Sequence, residues 1–337
     1  MLDSWNPDRA ARTVSRDPIR DKKRPSCDLG LLLLTSPPPS LSIEECASRA
    51  AASSMPRHDS YTRPPGLPDF RLPPVVEVVL AVRLETRELP PTNLALLANR
   101  IFGEELPHIE EQPRLEMPIE DLETAVGRPE VGVRMLTKPP PPRLWFTEEA
   151  GEHLVQVQDD FFARNWRLRD EGGSYPHYEA IRGPFEAGLE ALLDAIGSLT
   201  GDRPVPVQCE VTYVNHITID EDWPDPDIMA RVVRFLLAPA KEGILSDGES
   251  AQLAMTFRVT EAEGSDPVGR LHVSAQPALR EDGSPIVLLN LTARGAPMTP
   301  DVEGVMRFQD LGHESIVRGF AEVTTDEMQE RWVRIDG

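Results

Sequence analysis

HLVQVQDDFFARNWRLRDEGGSYPHYEAIRGPF, residues 153–185, is the stretch on which the fold turns. It reads as a strand over 154–162, then a polar, Gly-containing loop over 163–175. A helix opened by Pro176 follows and carries Tyr178, Ile181 and Phe185. Six aromatic residues (Phe161, Phe162, Trp166, Tyr175, Tyr178 and Phe185) fall within it, in a chain that is only 6% aromatic. Its helix start, HYEAIRG at 177–183, is echoed by HESIVRG at 313–319, which pairs His177 with His313 and Arg182 with Arg318.

Working outward, the same element order appears on both sides of residue 200. In the first half, 75–84 reads as a strand and 92–102 as a helix stopped by Gly103. Shorter strands are expected at 114–118 and 143–147, before the strand at 153–162 and a helix over 176–196 that Pro184 should kink. In the second half, 207–217 is a strand and 228–237 a helix. Strands at 250–260, 269–277 and 285–294 come next, with helical segments over 301–334 closing the chain. Thr324 with Glu327 has the spacing of a capping box for the last of them, with Met328 and Trp332 on one face. Each half therefore reads β-α-β-β-β-α. An internal duplication and a chance likeness of amphipathic elements both account for this, and the sequence leaves the two open.

Alternation within the strands sets the layers. Val76, Val78, Leu80, Val82 and Leu84 form an apolar face, with Glu77 and Arg83 opposite. Cys209, Val211, Tyr213 and Ile217 oppose Gln208, Glu210, Thr212 and His216. Leu253, Met255, Phe257 and Val259 oppose Thr256 and Arg258, and Leu271, Val273 and Ala275 oppose Arg270 and His272. Such a pattern belongs to antiparallel strands with one packed and one wet face. The expected fold is two-layer α+β: a curved antiparallel sheet with helices on one face, in the element order of the TATA-binding protein saddle. Element order alone carries no function across.

The charge of −21 is uneven: residues 1–66 have a net of +2 and the remainder −23. An acidic body repels phosphate backbones, which excludes nucleic acid as a partner. The first 66 residues are rich in Pro, Ser, Arg and Asp and are expected to be disordered, with Met55 as an alternative start. The halves 67–200 and 201–337 are expected to pack as one continuous domain. The apolar run Leu31–Leu34 is too short for a membrane span or a signal-peptide core, so no membrane association is expected and the expected compartment is the cytoplasm. Three scattered cysteines, Cys27, Cys46 and Cys209, make neither a disulfide framework nor a zinc site.

Candidate site residues come from the polar sheet face and the 163–175 loop. Glu77, Arg83, Glu210, His216, Arg258 and His272 would line a groove for a small polar ligand or a peptide, or simply face water with cross-strand pairs such as Glu77–Arg83 and Glu210–Arg258. Asn165 and Arg167 would extend this from the loop. His313, beside Gly312 near an expected helix start, is the remaining candidate, as a ligand contact or a base. No metal or cofactor is expected: the histidines lack ligand spacing, DEDWPDPD at 220–227 lacks the turn glycine of a calcium loop, and no nucleotide-binding or nucleophile-elbow motif is present.

PPVVEVVLAVRLE at 73–85, DFFARNWR at 160–167, YPHYE at 175–179, YVNHI at 213–217 and GHESIVRGFAEVTTDEMQERW at 312–332, in that order, resemble a sporadically distributed family of uncharacterised bacterial and archaeal proteins. The likeness spans about 70–334 and implies no catalytic residues. The expected function is non-catalytic binding of a protein or small polar ligand through the polar sheet face or the 163–175 loop, with homo-oligomerisation left open. The alternative is an enzyme of unrecognised type using Glu210, His216 or His313.

Overall fold

A computed structural model describes residues 61–85, 89–123, 141–169, 173–218, 226–236, 250–280 and 282–335. Most of the segment expected to be disordered, including Met55, lies outside these residues, as does most of the acidic 220–227 run. The element order is β1 (Asp69–Phe70), β2 (Val75–Leu84), α1 (Pro91–Phe102), β3 (His108–Gln112), β4 (Arg143–Thr147), β5 (His153–Gln158), β6 (Phe161–Arg167), α2 (Tyr178–Thr200) and β7 (Pro206–Ile217). It continues with α3 (Pro226–Val232), β8 (Leu253–Thr260), β9 (Pro267–Leu279), β10 (Pro285–Gly295), α4 (Val302–Val323), α5 (Asp326–Arg331) and β11 (Arg334–Ile335).

Nine strands form one sheet in the order β3-β4-β5-β6-β2-β7-β10-β9-β8, and every pairing is antiparallel. Helices pack on one of its sides, so the α+β reading holds. Outward from the central β2–β7 pair, each half lays down its last strand first: β6, β5, β4 on one side and β10, β9, β8 on the other. β3 is an addition at the first edge. The short pair β1–β11 ties residues 69–70 to 334–335, near the two ends of the described chain.

Several local expectations change. Residues 153–167 are a hairpin, β5 turning at Asp159-Asp160 into β6, not one strand and a loop. Asn165, Trp166 and Arg167 are therefore strand residues. The strand expected at 114–118 is non-sheet backbone, and β3 forms just before it. A register shift between Val75 and Glu77 turns Val75 into the core in place of Val76. On the edge strand β8, Phe257 is 40% exposed and only Val259 is buried. α2 runs through Pro184 without a break. The last helix is capped by Thr325, whose hydroxyl accepts from Met328 N, whereas Thr324 closes α4 by donating to Phe320 O.

HYEAIRG and HESIVRG fall at different places on their helices. His177 precedes α2, whereas His313 lies eleven residues into α4.

The core lies between the sheet and α1, α2 and α4, where alternate strand residues meet the helices' apolar stripes. Phe162 stacks between Phe102 of α1, centroids 5.8 Å apart, and Phe185 of α2 at 5.5 Å. Tyr178 and Arg182 of α2 both donate to Asp310 of α4, the guanidinium in bidentate fashion at 2.8 and 3.0 Å. Gln309 of α4 donates to the Ala81 carbonyl on β2 at 2.9 Å, so helix layer and central strand are tied by a buried hydrogen bond.

Phe308 enters a notch made by Gly269 and Gly295, which face each other across β9 and β10. A Cβ on Gly295 would sit 2.2 Å from the Val268 carbonyl oxygen and 2.5 Å from the Phe308 ring. Neither the ladder nor a packed ring can retreat that far. Gly295→Ala is expected to destabilise the fold by about 3 kcal/mol, near the upper end for overpacking, as a shift in the urea midpoint at unchanged slope.

Candidate functional site

Strand alternation sends Glu77, Val79, Ala81 and Arg83 of β2 to the side away from the helices. Gln208, Glu210, Thr212 and His216 of β7, with Thr292 and Arg294 of β10 and Arg270 and His272 of β9, point the same way. A wet groove is expected there. Instead residues 113–123, PRLEMPIEDLE, cross the sheet as an extended strap.

Side chains, not ladder bonds, hold the strap. Leu115 is gripped at both backbone groups by one amide: its N–H donates to Gln158 Oε1 at 2.9 Å and its carbonyl accepts from Gln158 Nε2 at 3.0 Å. Gln208 repeats this further along, accepting from Glu120 N and donating to the Pro118 carbonyl. Arg83 donates to the Met117 carbonyl at 3.1 Å. Arg114 pairs with Asp159 and Asp160 of the β5–β6 turn. A single apolar anchor, Met117, enters a small cluster of Val79, Ala81, Phe161 and Ala163 that is separate from the main core.

The strap ends in a cationic cradle. The Glu120 side chain is 7% exposed and accepts from Arg270 and, at 2.8 Å, from His272 Nε2, with Arg294 at 3.9 Å. Arg270 also donates to the Asp121 carbonyl at 2.7 Å. A carboxylate removed from water is stable only when paired and hydrogen-bonded, and these partners supply both.

The expected site residues divide into groups around this strap. Glu77 accepts from Asn165 at 2.7 Å, Asn165 from Gln156 at 2.8 Å, and Gln156 from Arg143 at 2.8 Å and Trp145 Nε1 at 3.1 Å. The guanidinium carbons of Arg167 and Arg143 lie 5.6 and 5.4 Å from the Trp145 ring centroid. Burial lowers the pKa of both arginines, so each contact with the ring is partly desolvated and correspondingly stronger. Glu210 pairs with Arg294 at 2.7 Å, not with Arg258, and Arg83 faces Asp160 at 3.7 Å, not Glu77. Arg258 is exposed opposite Arg270. His216 lies opposite Leu288 toward the end of β7, its pKa lowered by burial and by Arg280.

His313 belongs elsewhere. It is in the middle of α4, not at a helix start, and reaches the opposite side of the sheet. There it stacks on Tyr178 (centroids 4.1 Å apart, planes at 4°) and its Nδ1 lies 2.8 Å from the Tyr213 hydroxyl. Burial, then the charges of Arg63 and His177, hold its pKa at about 3, so it is a neutral imidazole. The cause is desolvation, not a helix dipole.

Gln156, Gln158, Gln208, Glu120, Arg270 and Arg294 were not among the expected site residues. The one signal was that Gln156, Gln158 and Gln208 carry amides in strands whose other residues pack, a place where an amide needs a partner. Comparison with family models, curated proteins and solved structures finds no match for the chain.

His313 makes stability pH-dependent with a definite sign. Its folded pKa near 3 lies below its ordinary value of 6.5, so the unfolded chain binds a proton that the folded chain refuses. The contribution is whole above pH 6.5 and is lost as pH falls from 6.5 towards 3, at up to about 1.4 kcal/mol per pH unit. His313→Gln removes that slope. The unfolding free energies of wild type and H313Q, from urea titrations at pH 7.5, 6 and 5, should diverge less with each step down.

Proposed function

We propose that this chain is a non-catalytic binding protein that reads extended, acidic polypeptide segments on the sheet face opposite its helices, and that residues 113–123 occupy that face in cis. One observation carries the reading: the strap is held as a peptide ligand is held. Two buried glutamine amides each take a backbone donor and acceptor, one methionine fills a small pocket, and one carboxylate enters a cradle of Arg270, Arg294 and His272. Main-chain bonding gives affinity in such grooves, and pockets for single side chains give specificity.

Electrostatics agree. The body of the chain is strongly acidic, yet the cradle end of this face sets Arg270, Arg294 and His272 around the Glu120 position with, among the described residues, only Glu210 beside them. An acidic segment is drawn to such a patch while the surrounding surface repels anions that lack the fitting backbone. The strap is also suited to exchange. Leu115 and Ile119 are 38% and 69% exposed, leaving Met117 as its buried apolar residue, and segments with few buried apolar contacts open at low free-energy cost. The enzymatic alternative rests on Glu210, His216 or His313; His313 lies across the sheet from the other two, and Glu210 is paired with Arg294.

A labelled synthetic peptide of residues 113–123 tests this by fluorescence anisotropy. The full chain carrying Met117→Ala and Glu120→Ala, checked for folding by circular dichroism, should bind the peptide. Wild type should bind at least about tenfold more weakly, because its tethered strap competes at high effective concentration. The same peptide bearing E120Q should lose about tenfold in affinity through the cradle. A folded double variant that ignores the wild-type peptide overturns the proposal.

A further inference from the structure

On the helix side of the sheet, the chain's four tyrosines gather around His313. Tyr178 stacks on its ring, Tyr61 meets it edge-on at 5.8 Å, Tyr213 bonds its Nδ1, and Tyr175 bonds the Tyr213 hydroxyl at 2.8 Å. Beside them is a cleft with a volume of about 50 Å³, walled by Phe70 and Val75 near the start of the described chain, Leu291 of β10, and Ile316 and Phe320 of α4. This holds a few waters or one compact organic molecule, well short of a nucleotide or other large cofactor.

Two buried polar atoms on residues lining the cleft have no partner within the described protein: His313 Nε2 and Asn215 Oδ1, on residues 2% and 1% exposed. Asn215 spends its amide hydrogens on the Leu289 carbonyl at 3.0 Å and more weakly on Tyr213 O, leaving Oδ1 as a bare acceptor. The hydroxyl chain fixes the other. Tyr175 donating to Tyr213, and Tyr213 to Nδ1, gives the Tyr175 and Tyr213 hydroxyl hydrogens an acceptor each and puts the imidazole hydrogen on Nε2. Among the described residues, the lining of the cleft therefore carries one unpaired donor and one unpaired acceptor with apolar walls around them. Groups this buried are expected to be satisfied, and an orphan pair beside a cavity marks what the cavity takes.

Charge narrows the class. Arg63 and Asp69 also line the cleft, but they face one another at 3.8 Å, and Arg63 donates to the Pro68 carbonyl at 2.7 Å. An anion lodged beside the orphan pair would meet a neutral imidazole and amide there and, in Arg63, a guanidinium already committed to Asp69 and the Pro68 carbonyl, so its burial carries a heavy desolvation cost. His177, which also lines the cleft, holds φ at 67°, a strained value for a residue with a side chain, just where the backbone turns into α2.

We infer that this cleft is a binding site for a small neutral molecule with an adjacent donor and acceptor, a primary amide or a hydroxyl, on a short branched apolar body. His313 Nε2 donates to the head group, Asn215 Oδ1 accepts from it, and Phe70, Leu291, Ile316 and Phe320 enclose the body. This site shares no residue with the strap face and stands whether or not that face binds peptides.

The probe pair is isobutyramide and its charged isostere isobutyrate, followed by saturation-transfer NMR and by thermal shift on the full chain. Isobutyramide should give saturable transfer and raise the Tm, and isobutyrate should bind at least about tenfold more weakly. Asn215→Leu should abolish isobutyramide binding by removing the acceptor. Val317→Phe, from a half-buried position on the wall, should abolish it by filling the space with the polar pair intact, so the test survives if one variant fails to fold. No transfer from isobutyramide with ordered water alone in the cleft, equal binding of both probes, or binding that persists in a folded N215L or V317F variant, each overturns the inference.

Discussion

The antiparallel pairing of β2 with β7 is the constraint on which the rest of this molecule depends. Each is the first strand that its half contributes to the nine-stranded sheet, yet they meet at its centre, so the later strands of each half start near an edge and work inward to their seam. Being central, they must satisfy two faces at once. Toward the helices they present Val78, Leu80, Val82, Cys209, Val211 and Tyr213 to one continuous core. Away from the helices β2 offers Val79 and Ala81, small enough to let Met117 of the strap approach the backbone. A larger residue at 81 would push the strap away and expose Gln158 and Gln208 without the backbone groups they now hold.

The two helices that cover this seam are fixed to it and to each other by polar bonds. Asp310 collects both Arg182 and Tyr178, and Gln309, its neighbour on α4, reaches the Ala81 carbonyl. Apolar packing alone leaves helices some freedom to slide along a sheet. A bidentate arginine pair does not, because its geometry is satisfied at one offset only. This is why the imidazole of His313, one turn further along α4, lies flat on Tyr178 with its Nδ1 on the Tyr213 hydroxyl. The ring cluster inherits its order from the ion pair beside it.

Much of this was legible in the sequence, and where it was not the reasons are physical. Strict alternation over 207–217 and 269–277 announced strands with one packed face, because a pleat leaves no other way to segregate residues. The 153–167 hairpin was hidden: its turn is Asp159-Asp160, without the Gly or Asn that marks a tight reversal, and both arms are buried enough to read as a single strand running into aromatic residues. Reading the arm as a loop then misplaced Asn165 and Arg167. The strap was invisible for the opposite reason. An extended segment held by other residues' side chains carries no periodicity of its own, so 114–118 passed for a weak strand. Glu77, Glu210 and His272 were rightly placed on one face, but their partners were not, since Asn165, Arg294 and Glu120 come from other strands and from the strap. Nothing in sequence spacing could bring Tyr61, Tyr175, Tyr178 and Tyr213 together around one imidazole.

One strand serves both sides of the sheet, and that bears on whether they communicate. Along β7, Gln208 and Glu210 turn to the strap face, while Tyr213 and Asn215 turn to the cleft. Transmission by sliding would require β7 to change register against β2 and β10. A slip of one residue exchanges its two faces, driving Gln208 and Glu210 into the core and Val211 and Tyr213 into water. The ladder on both flanks of β7 forbids it. Coupling through a discrete second arrangement therefore has no element to use within the strand itself. The sheet acts as a rigid partition, and what each face holds is decided by the side chains on that face.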